Sequence, residues 1–130
     1  MVRRSDRSRT RAATRRVLLG ALLALGALAA PSPPGRYDAQ LCVATQPGTA
    51  PTCGAADVEV RSGLVSVRVS DIVYNLALRR DELDVVTMHG KMQIDEFSSP
   101  YQWEATTLVF TDPDKDVRYE VRIGARKAAR

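Results

Sequence analysis

Beyond residue 35 the chain alternates apolar and polar side chains with a period of two. No long stretch there keeps the 3.6-residue period of an amphipathic helix. Val58 and Val60 alternate with Asp57, Glu59 and Arg61, and Val65, Val67 and Val69 alternate with Ser66, Arg68 and Ser70. Val117, Tyr119, Val121 and Ile123 alternate with Arg118, Glu120 and Arg122. Such alternation marks strands with one buried and one wet face, as in an antiparallel sheet. The pattern predicts strands at 36–44, 56–61, 64–70, 72–79, 83–88, 91–96, 105–111 and 116–123. Residues 97–104 read as the longest connection of the second half.

Pairing is constrained by phase, because a one-residue slip turns every side chain to the wrong face. A turn at Ser62-Gly63 pairs Val60 with Val65, Val58 with Val67 and Ala56 with Val69, and sets Asp57 opposite Arg68. A turn at Arg79 to Glu82 pairs Leu78 with Leu83, Leu76 with Val85 and Tyr74 with Thr87. A turn at His89-Gly90 pairs Thr87 with Met92 and Val85 with Ile94, and would oppose Asp84 to Asp95. A turn at Asp112 to Lys115 pairs Phe110 with Val117 and Leu108 with Tyr119. Between 64 and 79 the apolar phase flips at Ser70-Asp71. Unbroken, that stretch would span about 53 Å, against a radius of gyration of about 13 Å for a domain of this size. It must therefore bend or break, most simply at a bulge. The expected fold is all-β: a small antiparallel up-and-down barrel or sandwich of seven or eight short strands.

Charge changes the picture once it is located. The 130 residues carry a formal +4, yet residues 1–16 hold seven arginines against one aspartate. Residues 17–130 hold 12 basic and 14 acidic side chains, so the remainder is slightly acidic. The basic isoelectric point belongs to the leader, and a nucleic-acid partner loses its main support. After the arginines, Val17 to Ala30 is a charge-free apolar run of 14 residues. That is short of the roughly 20 residues a spanning helix needs and matches the apolar region of an export signal. Ala27-Leu28-Ala29 supplies a cleavage pattern, giving a cleaved signal over 1–29, and a Pro-rich linker over 30–35 follows. An uncleaved N-terminal anchor is the alternative, and the only membrane contact expected. Thr14-Arg15-Arg16-Val17-Leu18-Leu19 resembles a twin-arginine export signal, with Leu18 at the usual aromatic position. The expectation is a β-domain over 36–124 working in the periplasm or outside the cell, with a basic flexible tail over 125–130.

The two cysteines fit an oxidising compartment. Cys42 and Cys53 bracket a loop rich in Pro, Gly and Thr. A disulfide closing it is worth about 3 kcal/mol in the chain-entropy model. With one His and two Cys, a Cys/His zinc cluster is nearly excluded.

Candidate chemistry is sparse. His89 is the only histidine, a possible general base without a visible partner, placed at a turn tip. Asp112, Asp114 and Asp116 have the spacing of a calcium loop, but the Gly and Glu of that pattern are replaced by Val117 and Ile123. Turn formation accounts for Asp112-Pro113-Asp114 without a metal. Asp84 and Asp95, if opposed, would share a proton, bind a cation or face water. Phe97, Tyr101 and Trp103 place three aromatic side chains in one segment, where they either plug a barrel end or anchor a ligand or partner. These three and His89 are the candidate binding residues; no catalytic residue, metal ligand or cofactor is expected. The functional expectation is a non-enzymatic binding or protein-interaction module of the bacterial envelope, its partner an envelope protein or a small ligand. The alternatives are a carrier with its ligand inside the barrel, an inhibitor of a periplasmic or cell-wall hydrolase (by analogy of fold alone), and an enzyme using His89 or Asp84 and Asp95.

Overall fold

The computed structural model describes residues 32–46 and 48–128. The expected export signal lies outside the described residues, as do Pro31 and the last two residues of the tail. Eight antiparallel strands follow in chain order: β1 (Gly35–Ala44), β2 (Thr52–Arg61), β3 (Leu64–Val69), β4 (Ile72–Leu78), β5 (Glu82–His89), β6 (Met92–Glu104), β7 (Thr107–Asp112) and β8 (Val117–Arg126). Each pairs with its neighbours, and β1 closes the ring on β8. The result is a closed up-and-down barrel, and Cys42 is bonded to Cys53 across the β1–β2 ladder.

The alternation explains the packing. Inward side chains Val58, Val67, Leu76, Val85, Leu108 and Val121 belong to one buried cluster that fills the barrel. A barrel of eight strands is just wide enough for such side chains. The registers at the first two turns are as the phase requires: Val60 meets Val65, Asp57 meets Arg68, Leu76 meets Val85 and Tyr74 meets Thr87.

Several expectations need correction. The phase flip at Ser70-Asp71 is a tight turn, with Ser70 in the left-handed region (φ 56°), and β3 folds back on β4 as a hairpin. The β5–β6 turn lies one residue later, at Gly90-Lys91, with Gly90 at φ 63° where a side chain would strain. There His89 pairs with Met92, a bulge follows, and Val85 meets Phe97 rather than Ile94. Asp84 therefore faces Ser98 and not Asp95. The β7–β8 register is displaced by two residues, so that Phe110 meets Tyr119 and Leu108 meets Val121. A displacement of two preserves the faces, which is why hydrophobic phase did not exclude it.

Residues 97–104 are not a connection but the second half of β6. At the other extreme, β8 runs on to Arg126, so Ala125 and Arg126 belong to the sheet. The Lys127 amide donates to the carbonyl of Arg36 (2.7 Å). Its ammonium lies 2.6 Å from Asp38 and 3.0 Å from Asp57. Asp38 and Asp57 are directly opposed across β1 and β2, a like-charge pair that Lys127 neutralises.

Candidate functional site

One end of the barrel carries the β1–β2 loop and the turns at 70–71, 90–91 and 113–116. Inside this end, Tyr74, Phe97, Phe110 and Tyr119 form an aromatic cluster, with Phe110 and Tyr119 stacked at 5.1 Å between centroids. Burial pushes the phenols of Tyr74 and Tyr119 above their ordinary range. The negative charge of Asp95 adds to the rise at Tyr74, and that of Tyr74 to the rise at Tyr119. Asp95 is itself held 2.9 Å from the ammonium of Lys115, which depresses the carboxyl and raises the lysine. Buried Asp112 accepts the amides of Asp114 (2.9 Å) and Lys115 (3.3 Å), so it caps its own turn. That is the turn chemistry of a short polar side chain. Among the described residues, no group of three or more His, Cys, Asp and Glu is arranged to hold a metal ion.

The candidate residues separate into different environments. Phe97 is buried in the core. Tyr101 and Trp103 are half-buried against that core on the inner face of β6, and the Tyr101 hydroxyl donates to the carbonyl of Arg79 (2.6 Å). The three aromatics thus line the barrel's interior along one strand. His89 stands apart, with its Nε2 2.7 Å from Asp71 Oδ2, tying the 70–71 turn to the end of β5. Asp84, on the outer face, accepts from Ser98 (2.6 Å) and from Arg79 (3.0 Å). His89, Asp84 and Asp95 are therefore each bonded to different partners, and no bond joins any two of them among the described residues.

Alternation set Met92 and Ile94 on the core face, opposite Thr87 and Val85, and the structure corrects this: Asp95 and Phe97 take those places. Met92 and Ile94 are 63% and 49% exposed, on the strand that leaves the 90–91 turn. A signal was available. Met92 and Ile94 are even-numbered, whereas Phe97, Tyr101 and Trp103 of the same strand are odd. Such a break in phase marks a bulge, which lies between Gln93 and Asp95 and sets Phe97, not Ile94, opposite Val85.

The seam between β6 and β7 is the second feature of this region. β7 pairs only with Tyr101–Glu104, although β5 pairs with β6 from Met92 to Pro100. Pro100 explains where the ladder stops, because it has no N–H to give. The Thr111 amide turns instead to the hydroxyl of Ser99 (3.3 Å), which donates to the Pro100 carbonyl (2.7 Å). Beside this break lies an open hollow of about 280 Å³ lined by Pro100, Gln102, Val109, Thr111 and Arg118.

Elsewhere on the outer wall, Glu120 lies between Arg122 (2.8 Å) and Arg118 (3.2 Å), which hold its carboxyl below the ordinary 4.5. Asp95 and Asp71 are likewise below their ordinary 3.8, through Lys115 and His89. A depressed carboxyl stabilises the fold above its unfolded pKa and loses that contribution as pH falls through its folded value. The melting temperature is therefore expected to be level above pH 4.5 on account of these groups and to decline below it. Glu120→Gln should make the acid decline shallower, and an unchanged decline would remove Glu120 from this account.

Comparison of the chain with protein-family models, with curated proteins and with solved structures finds no match.

Proposed function

We propose that this chain is an exported, non-enzymatic protein-interaction module of the bacterial envelope, and that it meets its partner through the barrel end bearing the 90–91 turn. The observation that carries this reading is the pair Met92 and Ile94, both exposed on a strand whose other large apolar residues turn inward. Solvent-facing apolar side chains on a hairpin are what a partner can desolvate. The leader, with its arginines and 14-residue apolar run, supports export, as does a disulfide between the first two strands. A packed interior favours the outer surface over an internal ligand. The separate pairings of His89, Asp84 and Asp95 favour binding over catalysis.

The test compares the purified protein with its Met92→Ser/Ile94→Ser double variant as bait in envelope extract. A protein retained by the first, lost from the second, and bound again when purified is the expected result. The melting temperatures of the two baits should agree, because exposed side chains change stability by only about 0.5 kcal/mol. Equal retention by both baits would remove this surface from the proposal.

A further inference from the structure

From Met92 to Ser98, β6 has a partner on one side only among the described residues. We infer that this free edge, acidic and solvent-facing, accepts an extended basic segment of a partner protein as an additional strand. The inference rests on the interaction reading above and names the form the partner takes.

Three observations carry it. First, residues 92–98 have no partner in β7, so main-chain groups that turn away from β5 meet no neighbouring strand among the described residues. The Glu96 amide is bonded to the carboxylate of Asp95 (2.9 Å), a local substitute for an inter-strand acceptor. It therefore points away from the ladder with β5, as Ser98, two residues on, does by the alternation of an antiparallel pair. An exposed row of such groups is a template for another strand. Second, the edge is open for a structural reason and not through fraying. Pro100 ends the ladder with β7, the Ser99 hydroxyl satisfies Thr111, and β6 continues beyond β7 while held by β5. Exposed positions include Met92, Gln93, Ile94, Glu96 and Ser98, so an incoming strand meets both apolar and polar side chains.

Third, the charge selects the occupant. Met92–Ser98 contains Asp95 and Glu96 and no basic residue. Two copies paired antiparallel along this stretch would bring those carboxylates together, which is unfavourable. A segment with lysine or arginine is favoured instead. The molecule already contains one instance of that contact: the Lys115 ammonium reaches over from the 113–116 turn to Asp95 at 2.9 Å. A basic side chain of an added strand would find the Glu96 carboxylate, whose only bond among the described residues is from the Gln93 amide (3.1 Å).

The test uses the full chain and three synthetic probes: a short peptide of alternating lysine and valine, its glutamate counterpart, and the lysine peptide methylated on alternate backbone nitrogens. Affinity is read by fluorescence anisotropy and location by amide hydrogen exchange. The lysine peptide is expected to bind and to slow exchange at Glu96 and Ser98. The glutamate and methylated probes should bind about tenfold more weakly or worse, as should the lysine peptide to Glu96→Lys. Equal binding of the methylated probe with Met92 and Ile94 still required would overturn strand addition and leave the interaction surface standing. Edge binding unaffected by Met92→Ser/Ile94→Ser would do the reverse. Absence of binding, protection elsewhere, or concentration-dependent self-association through this edge would each overturn the inference.

Discussion

Removing the Cys42–Cys53 bond, by reduction or by Cys42→Ala/Cys53→Ala, is expected to lower the melting temperature by about 12–24 °C. This follows from a loss of about 3 kcal/mol in a domain of this size, where each kcal/mol moves the midpoint by about 4–8 °C. The bond joins directly opposed residues of β1 and β2. It closes a seven-residue connection, 45–51, that contains two prolines and a glycine and whose described residues are all exposed. Cys42 is fully buried while Cys53 is exposed, so a reductant meets the bond from the Cys53 side. Cys42 also lies opposite Glu120 of β8. Freeing it loosens the strand on which ring closure depends. A shift below about 5 °C would mean that the ladders alone hold the barrel and that the bond contributes little.

The second large effect is expected in the core. Leu76 is fully buried and lies between Val65 of β3 and Val85 of β5. Leu76→Ala should cost about 2–5 kcal/mol through lost transfer energy and the space left behind. In a domain with roughly 5–15 kcal/mol of total stability, that is a large share. The urea midpoint should fall with little change in slope. The adjacent Ala77 faces solvent, and Ala77→Ser should move the midpoint by no more than about 0.5 kcal/mol allows. Comparable effects at both positions would contradict the inside–outside assignment of β4.

Those two residues show how much of the fold was legible. Alternation, with turn-forming residues at Ser62-Gly63 and Arg79–Glu82, specified the registers of β2 on β3 and of β4 on β5, while the fold of β3 back on β4 was read as a bulge. Where the structure departs, a local rule was outweighed by tertiary context. Pro100 and its aromatic neighbours resembled a loop, because proline cannot serve in the middle of a ladder. It is tolerated here since the ladder with β7 ends at that point. Asp112 resembled the start of a turn, yet it completes β7 and caps the turn from within the sheet. Its burial followed from neither alternation nor charge. The bonds from Lys127 to Asp38 and Asp57 had no sequence signal either, because they join positions 89 and 70 residues apart. The contact of His89 with Asp71 was closer to legible, because the register that sets Tyr74 opposite Thr87 also sets Ile72 opposite His89 and so brings Asp71 beside it. The candidate binding surface was the least legible part. Exposure of Met92 and Ile94 depends on a bulge, and the open edge of β6 depends on the stagger of strands around a ring.

The ring has a kinetic side. Seven of its eight ladders join consecutive strands and can grow as local hairpins, while the eighth joins β1 to β8 across the whole domain. Closing a loop of that length carries an entropy cost that nearest-neighbour hairpins avoid. Local contacts form quickly and distant ones slowly. The chain is therefore expected to fold as a curling ribbon that becomes a ring in one late event, with the pairing of Leu41 to Val121 and the hold of Lys127 among the last contacts made. Until then β1 and β8 are both unpaired margins, so the interval before closure is when the newly folding protein is most exposed to pairing with the wrong chain.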